Sequence, residues 1–409
     1  GRIVTWHTET ITVSSWPDIT HFQFSKPLLS PHELLGVTAA VEAPVHGLGP
    51  TTFYVRAFDP LGRLVATAHS SVPEGGGLST VALPFADLLA PAVKIEGFVL
   101  VSDHMPPTPF DLSRAAYRFG FVPVRLREPS RPLSFLVRTD GSSSYGRRRE
   151  LASLAQLGVD MAYTSATDES GFYLACSGIY PVFELAQYLP TTVIDGVVRA
   201  PSLDDEAYRH AEAMRLQQRV KTPWIGAFNL FSLGDGNCLS TDKENVCQSK
   251  TSLEQFQAIL RQSYGDLGRL NGAWGTQFER WNDVVPAPEQ AASSLQLYAP
   301  WLEFRLYMDS QFAEFHAILH DSIRALLPDA RVGFTAHAGN DPYLGYDWHR
   351  LASELHLLAV PPDPLQVEQT RCYVSRDTHA GLCLWQDGTL IDEAHARWYP
   401  WYAALHGFH

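Results

Sequence analysis

Acidic, amide and aromatic side chains follow the strand-like segments in the second part of this 409-residue chain. Carboxylates and amides can hydrogen-bond to the hydroxyl groups of sugars, and aromatic faces can stack on the apolar side of a sugar ring. This combination therefore predicts a carbohydrate site. The candidate binding residues are Asp140, Asp168, Glu169, Asn229, His337, Asp347, Trp348 and Trp385, and the candidate catalytic positions are Asp235, Gly236, Glu368 and Asp387.

A structural alternative stays open for each of these positions, because Asp and Asn often end strands without any further role. The complete set is harder to explain in this way than any one member. Trp274, Phe278 and Trp281 share one loop and are expected to pack that loop. Trp348 and Trp385 lie nearer to strand ends, so they are the better candidates for stacking on a sugar.

Seven predicted strands would position these side chains, and helices alternate with the strands. The strands are predicted at 133–138, 161–165, 182–185, 224–230, 331–336, 356–360 and 380–385. Such alternation indicates an α/β fold with parallel strands, either an open doubly wound sheet or a (β/α)8 barrel. No glycine-rich nucleotide motif follows any of these strands, which favours the barrel. Barrel active sites lie at the carboxyl ends of the strands, where the polar set is found.

The longest predicted helix, 302–327, carries apolar side chains every three or four residues on one side, which is typical of a helix packed on a core. The last predicted helix, 394–405, would normally lead into an eighth strand, but the sequence stops at His409. We expect either an unrecognised earlier strand or a chain truncated before strand eight, and we favour truncation.

Residues 1–130 follow a different pattern, with short β-branched and aromatic runs separated by turns such as 59–62. Strands at this spacing, without long helical periods, predict an antiparallel β-sandwich. The proline-containing stretch 127–132 is a predicted linker. The predicted organisation is therefore a β-sandwich domain over 1–130 and a TIM-barrel domain over 131–409, with the site chemistry confined to the barrel.

Composition limits the possible functions. Hydrophobic residues at 45% and charged residues at 18% are typical of a globular protein, and the net charge of −13 argues against non-specific nucleic-acid binding. No apolar run is long enough for a membrane span. Five cysteines are too few for a disulfide framework, although Cys238 and Cys247 flank one loop and could pair. No leader-like segment opens the chain, so a signal peptide is either missing or already removed.

The stretch 264–286 resembles the segment after the fourth strand in β-galactosidases of glycoside hydrolase family 42 and their bacterial relatives. It has Tyr264-Gly265, Leu270-Asn271, Ala273-Trp274-Gly275-Thr276 and Trp281 in the order of that family. The resemblance extends over roughly residues 131–409 and leaves out the predicted sandwich. A relative within the same barrel clan is therefore favoured over a strict family member. Family members often carry a zinc-binding cysteine cluster, but only Cys238 and Cys247 fall here, so no metal is expected.

What the resemblance implies is a retaining hydrolase whose two carboxylates lie about 5–5.5 Å apart, one a nucleophile and the other an acid/base. Family 42 has the acid/base directly after an Asn, but Leu230 follows Asn229 here. Relatives with a Leu-Gly-Asp-Glu version would have it at position 236, which is Gly236 in this chain. Glycine has no side chain to donate a proton. Either the position is a knockout, or Asp235 has taken over, or hydrolysis is lost, and we favour the first two.

The nucleophile implied by the resemblance is a Glu at the end of strand seven, where this chain has Asp387. The nearest Glu is Glu368, which lies after strand six on a predicted helix. There an i,i+3 pair with Arg371 is the structural alternative. We rank Asp387 ahead of Glu368.

The leading prediction is a glycoside hydrolase that acts on β-galactosides or a galactose-containing polysaccharide by double displacement, without a cofactor. The first alternative is a non-catalytic carbohydrate-binding protein on a degenerate barrel, which Gly236 and the missing eighth strand favour. The second is a structural or assembly protein that has kept only the scaffold. The expected partner is carbohydrate, homo-oligomerisation stays open, and a periplasmic or secreted bacterial location is favoured over the cytoplasm.

Overall fold

The computed structural model of the protein describes all residues except 1–16, 31, 44–48, 61, 86–91, 102–115, 125–132, 139–143, 166–167, 190–191, 195–197, 223, 242–244, 297, 338, 340, 376, 384–391 and 409. The chain forms two compact units. The first comprises Gly1–Arg127 and Phe172–Gly178, and the second comprises Glu128–Gly171 and Ile179–His409. The predicted linker 127–132 lies outside the described residues.

The described part of the first unit contains antiparallel strands in two sheets. The strands are β1 (Asp18–Phe24), β2 (Leu34–Glu42), β3 (Thr51–Phe58), β4 (Leu64–Ser71), β5 (Gly76–Pro84), β6 (Ala92–Val101) and β7 (Ala116–Pro123). The sheet orders are β1-β2-β5 and β4-β3-β6-β7. Alternate residues of β2 and β3, such as Val37, Ala39, Phe53 and Val55, enter one apolar core shared by both sheets. The predicted sandwich-like architecture is confirmed for this unit.

The second unit alternates strands and helices. In chain order its elements are β8 (Leu136–Arg138), α1 (Ser144–Gln156), β9 (Met161–Ser165), α2 (Asp168–Cys176), β10 (Tyr180–Glu184), β11 (Thr192–Ile194), β12 (Val198–Ala200), α3 (Glu206–Val220), β13 (Leu230–Asn237), α4 (Lys250–Tyr264), α5 (Leu267–Trp274), α6 (Glu289–Leu295), α7 (Tyr298–Arg324), β14 (Arg331–Ala336), α8 (Trp348–Glu354), β15 (Leu357–Val360), α9 (Pro364–Tyr373), β16 (His379–Leu382) and α10 (Glu393–Leu405). The last residues of α2 cluster with the first unit, and β11 and β12 form a separate hairpin.

Within the described residues, β8, β9, β10, β13, β14, β15 and β16 form one parallel sheet in chain order. A doubly wound sheet reverses its strand order at a switch point, and this sheet does not. Because parallel crossovers are right-handed, an unbroken order means that the chain winds in one direction only. The sheet therefore has the winding of a barrel.

The sheet is curled, as a contact across its face shows. The hydroxyl of Tyr163 on β9 lies 3.1 Å from Oγ1 of Thr335 on β14. Three strand spacings separate these strands, which is roughly 14 Å in a flat sheet and beyond the reach of one tyrosine. Both side chains therefore lie on the concave side of a half-barrel.

The predicted fourth strand was misplaced. Residues 225–227, inside the predicted strand 224–230, form a 3₁₀ turn, and the strand is Leu230–Asn237. The sequence pattern of this strand is difficult to recognise because it contains two glycines with positive φ values, Gly234 at +134° and Gly236 at +71°. The pairing with β14 shifts register at Asp235, as at a β-bulge. A run of polar and glycine residues at a bulged strand end therefore looked like a loop.

Helix α7 confirms the predicted apolar side, because Phe304, Met308, Phe312, Leu319 and Ile323 are all buried. The buried cysteines Cys238 and Cys247 do not form a disulfide with each other. No helix in the described part of the chain combines the length and the apolar character that crossing a membrane requires.

Candidate functional site

Three charged side chains from three strands meet at the carboxyl end of the curled sheet. Arg138 ends β8, Glu184 ends β10, and Asp235 lies near the end of β13. Arg138 Nη1 donates to Glu184 Oε2 at 2.8 Å, and Arg138 Nη2 lies 3.1 Å from Asp235 Oδ2. We call these three residues the strand-end cluster. Their side chains are 42%, 21% and 38% exposed, respectively, so a ligand can reach them.

A tyrosine ring forms the floor beneath this cluster. The guanidinium carbon of Arg138 lies 5.3 Å from the centre of the Tyr163 ring, within the range of a cation–π contact. Tyr163 and its hydroxyl partner Thr335 are both buried. Burial raises the pKa of Tyr163 to about 12, so the phenol stays neutral and its hydroxyl keeps a hydrogen.

The electrostatic balance of the cluster is negative, because its single guanidinium faces the carboxylates of both Glu184 and Asp235. Partial burial alone would lower the pKa of Arg138. The hydrogen bond from Arg138 to Glu184 and the charges of both carboxylates outweigh burial, and the pKa is raised. Arg138 therefore remains a cation across the working range of an enzyme.

The end of β13 is held by Asn237, which is fully buried. Its Oδ1 accepts from the backbone N–H of Tyr188 at 2.9 Å, and its Nδ2 donates to the Leu233 carbonyl at 2.9 Å. Its Nδ2 also lies 3.2 Å from Nε2 of His316, whose pKa burial lowers to about 4. These contacts fix the strand end that presents Asp235 and Gly236.

Gly236 lies beside His337, the residue directly after β14. A Cβ placed at Gly236 would be 3.8 Å from His337 Cδ2, the nearest of the described atoms. That is an ordinary van der Waals distance, so the position has room for a side chain. The structure thus brings the predicted residues Asp235, Gly236 and His337 together on neighbouring strands.

Several predicted site residues cannot be placed. Asp140, Trp385 and Asp387 lie outside the described residues, as do the side chains of Asp168 and Glu169 at the start of α2. Their proposed roles stay predictions.

Asn229 lies at the opposite end of the sheet from the strand-end cluster. It precedes β13, its Oδ1 accepts from the Tyr180 hydroxyl at 2.6 Å, and its carbonyl accepts from the Arg331 N–H at the start of β14. The prediction that Asn229 follows strand four is wrong, because that strand begins only at Leu230. Asn229 belongs to the amino end of the sheet.

Asp347 and Trp348 lie at the start of α8 and stabilise it. Asp347 caps this helix by accepting from the Arg350 N–H, and it also pairs with the Arg350 side chain at 3.1 Å. Trp348 is only 5% exposed and packs on Tyr346, with ring centres 5.0 Å apart. The buried ring has no open face for a sugar, which corrects the prediction that Trp348 stacks on the ligand.

Glu368 lies on α9, in the helical layer outside the sheet. It pairs with Arg371 at 3.4 Å, the i,i+3 partner of the structural alternative, and with His406 Nδ1 at 2.8 Å. The position on a helix explains both contacts and separates Glu368 from the strand ends. These contacts favour a structural role over that of a nucleophile.

The segment 264–286, which carries the resemblance, contributes side chains that pack helices together. Trp274 Nε1 donates to Glu303 Oε1 on α7 at 3.0 Å, and the Tyr264 hydroxyl donates to the same oxygen. Asn271 Oδ1 accepts from the Phe278 N–H at 2.9 Å, and Asn271 Nδ2 donates to the Phe278 carbonyl at 2.8 Å. These hydrogen bonds therefore hold α5 against α7 and stabilise the loop between Asn271 and Phe278. The predicted packing role of Trp274 is confirmed.

Sequence reasoning missed Arg138, Tyr163, Glu184 and Thr335 as site residues. All four lie inside predicted strands. A signal was present, because Arg138 is the last residue of the predicted strand 133–138 and Glu184 lies at the end of another apolar run. Charged residues that end apolar strands are candidates for a barrel site. No group of three or more potential metal ligands is found in the part of the chain that the structure describes.

Comparison with known proteins supports the family resemblance. The model of the glycoside hydrolase family 42, described as β-galactosidase, matches residues 195–371, a range that includes β13 and Asp235. The chain is thus similar to family-42 β-galactosidases, as the segment 264–286 predicted. No curated protein matches the chain.

Three glycosidases are among the solved structures that the chain matches. The catalytic domain of a β-amylase from Paenibacillus polymyxa is 12% identical, with a TM-score of 0.46 over 62% of this chain and 86% of that one. A β-galactosidase from the psychrophilic Marinomonas ef1 is 13% identical, with a TM-score of 0.40 over 57% and 41%. A β-glucuronidase from Bacteroides uniformis is 10% identical, with a TM-score of 0.38 over 85% and 36%. The chain thus spans less than half of the latter two proteins.

Proposed function

We propose that this chain is a glycoside hydrolase that acts on β-galactosides or on a galactose-containing polysaccharide, with the sugar bound at the strand-end cluster. In this proposal, residues 1–130 form the sandwich domain and 131–409 a (β/α)8-type barrel domain. The observation that supports it most is the meeting of Arg138, Glu184 and Asp235 at the carboxyl end of a curled parallel sheet. Barrel enzymes have their active sites at this end.

The proposed reaction is a double displacement. Asp387 attacks the anomeric carbon while Asp235 gives its proton to the glycosidic oxygen. The bond between the anomeric carbon and this oxygen then breaks. Asp235 then removes a proton from water, which attacks the same carbon and releases Asp387. Asp235 replaces the side chain that Gly236 lacks. Asp235 has one contact with Arg138, whereas Glu184 has two, at 2.8 and 3.4 Å. A sugar can therefore separate Asp235 from the guanidinium while Arg138 stays paired with Glu184.

A second candidate function is carbohydrate binding without hydrolysis. It is favoured by the two described carboxylates of the cluster, since both are paired with Arg138. Paired carboxylates can accept hydrogen bonds from sugar hydroxyls without any transfer of a proton. Gly236 favours this function as well, because it supplies no acid.

The test is an assay of the purified chain on aryl β-galactosides, with calorimetric titration of galactose and β-galactosyl oligosaccharides. We expect Asp235→Asn to lower kcat/KM by about 10²–10⁴-fold, the usual contribution of a general acid/base, without changing the melting temperature. Glu184→Gln should weaken sugar binding. Matched controls are Asp283→Asn and Glu314→Gln, which remove ion-paired carboxylates that lie on a 3₁₀ turn and on α7, outside the strands.

The outcomes separate the two functions. Hydrolysis that Asp235→Asn removes and the controls retain supports the hydrolase. Sugar binding that Glu184→Gln weakens, in a wild-type chain that hydrolyses nothing, supports the binding protein. A chain that neither binds nor hydrolyses any of these sugars contradicts both.

A further inference from the structure

We propose that Tyr163 is a positioning residue, whose ring, fixed through its hydroxyl by Thr335, holds the Arg138 guanidinium between Glu184 and Asp235. The geometric part of this inference rests on the contacts of the described residues. Its consequence for turnover rests on the proposed function.

Arg138 depends on support from its surroundings. It ends a strand of only three residues, β8, which is an edge strand of the sheet within the described residues. Its side chain is 42% exposed. An exposed arginine has many rotamers, and ordering one costs about 2 kcal/mol of entropy. A fixed contact along the guanidinium face would offset part of that cost.

Tyr163 provides this contact from the next strand. Its ring lies under the guanidinium at 5.3 Å, and a cation over a tyrosine face is attracted by the ring quadrupole. A contact with the ring face uses no N–H group as a hydrogen-bond donor. Nη1 and Nη2 can therefore contact Glu184 and Asp235, at 2.8 and 3.1 Å. A contact along the edge of the guanidinium would compete with these carboxylates.

Thr335 fixes the ring itself. Its Oγ1 lies 3.1 Å from the Tyr163 hydroxyl, in a fully buried contact across the concave face. Tyr163 and Thr335 are 9% and 2% exposed, respectively, so solvent cannot readily replace the missing partner if either hydroxyl is removed. The chain of contacts thus runs from β14 through Tyr163 to Arg138, and from Arg138 to the carboxylates of β10 and β13.

A purely structural role makes a different prediction. If Tyr163 only fills the inside of the curled sheet, its replacement lowers stability but leaves the surviving fold with a normal Arg138. The experiment must therefore report on the guanidinium itself. Phenylglyoxal reacts with arginine side chains, and peptide mass spectrometry gives the rate at Arg138 without any need for activity.

The variants test the contribution of the Tyr163 ring separately from the contributions of the two hydroxyls. Tyr163→Leu removes the ring, Tyr163→Phe keeps the ring without its hydroxyl, and Thr335→Val removes the partner at nearly constant volume. Thr335→Ser keeps a hydroxyl and is the rescue. The matched control is Tyr180→Phe, which removes a tyrosine hydroxyl of the neighbouring strand β10 at the amino end, where it contacts Asn229.

We expect the Arg138 modification rate to rise about tenfold in Tyr163→Leu and about threefold in Tyr163→Phe and Thr335→Val, the sizes expected from a lost cation–π contact and a lost hydrogen bond. Thr335→Ser and Tyr180→Phe should match the wild type, with rates compared under conditions where each variant is folded by circular dichroism. Equal Arg138 rates in the wild type and Tyr163→Leu would overturn the inference.

Turnover tests the consequence separately. If the wild type hydrolyses β-galactosides, kcat should fall in the same variant order as the Arg138 rate rises, and Thr335→Ser should restore it. A changed Arg138 rate with unchanged kcat overturns the link to catalysis. A wild type without activity counts against the proposed function, while the phenylglyoxal rates still decide whether Tyr163 positions Arg138.

Discussion

The two ends of the parallel sheet both carry polar networks, but the networks differ in exposure. At the carboxyl end, Arg138 and Asp235 are 42% and 38% exposed, and their charges face solvent. At the amino end, the Tyr180 hydroxyl contacts Asn229, and the largely buried His320 contacts His356 at 2.9 Å. A hydrogen-bonded network by itself therefore does not mark a site. In the proposed function, it is the accessible charged groups at the carboxyl end that mark the site.

The comparison predicts which property each end controls. Substitutions at the amino end should change the free energy of unfolding and leave sugar binding unaltered. Substitutions at the carboxyl end should change binding or turnover at little cost in stability. Four pairs of variants test this division, and the first three follow in order of their expected effect on stability.

The largest effect is expected at Gly333 on β14. A Cβ there would lie 1.6 Å from the carbonyl oxygen of Leu357 on β15, so Gly333→Ala must push two paired strands apart. We expect a loss of more than about 3 kcal/mol, or no folded protein, because overpacked cores yield only by moving backbone. The control is Gly381→Ala on β16, where no described atom lies within 4 Å of the added Cβ. Urea denaturation of both variants gives the difference, and similar midpoints would contradict the expected clash.

The next effect is expected at Asn229. Asn229→Ala leaves the Tyr180 hydroxyl, on a residue 7% exposed, without its 2.6 Å partner. Losing a buried hydrogen-bond partner costs about 1–3 kcal/mol. Adding Tyr180→Phe should recover part of this loss, because it removes the hydroxyl that donates to Asn229. Galactoside binding should stay at the wild-type level in both variants. Weakened binding in Asn229→Ala would return Asn229 to the site.

A smaller effect is expected from the histidine pair His320 and His356. Their contact, Nε2 to Nδ1 at 2.9 Å, needs one hydrogen and one lone pair, so both rings cannot be doubly protonated and keep it. Burial lowers the pKa of both histidines below the unfolded value near 6.5, even though Asp321 favours the charged form of His320. The unfolded chain therefore binds more protons as the pH falls below about 6.5, and stability decreases there.

The expected decrease is about 1 kcal/mol, the contribution of one such hydrogen bond. Denaturant midpoints measured between pH 7.5 and 5.5 give the slope. His320→Gln should flatten it, whereas His210→Gln, at an exposed position of α3, should not. Slopes that are identical in all three proteins would exclude the pair as the source.

The fold could be predicted from sequence to the extent that its signals were local. Apolar runs and the spacing on α7 marked the layers of the second unit, and six of its predicted parallel strands overlap the observed ones. The fourth strand escaped because Trp224 and Phe228 form a buried aromatic run before it, while Gly234 and Gly236 give the true strand a bulged backbone. Tertiary packing overrides local pattern at such places.

The site was harder to predict, because its members are far apart in sequence. Arg138, Glu184 and Asp235 come together only when β8 to β13 curl into one sheet. The segment 264–286 has the clearest resemblance to a family, yet its side chains hold α5 against α7 and stabilise their own loop. A compact motif is easily recognised when it maintains local structure. A site assembled from strand ends leaves only single charged residues in the sequence.

Gly236→Glu, at the carboxyl end, is expected to change turnover at a modest cost in stability. The backbone there has a φ of +71°, which costs a side chain about 1–2 kcal/mol, but the nearest described atom to the new Cβ is His337 Cδ2 at 3.8 Å. This places the loss near or below that at Asn229 and far below that at Gly333. The substitution places a carboxylic acid at the position where relatives with a Leu-Gly-Asp-Glu version would have the acid/base.

Gly236→Gln is the matched control, since it has the same backbone strain and nearly the same volume without an ionisable proton. If the position is a knockout, Gly236→Glu should hydrolyse aryl β-galactosides at least tenfold faster than Gly236→Gln, because a general acid contributes about 10²–10⁴-fold when it is well placed. Equal rates in the two variants, with both folded, would count against the knockout and leave Asp235 as the proposed acid. Because strain and size are matched, the difference between Glu and Gln reports on the ionisable group and not on the backbone.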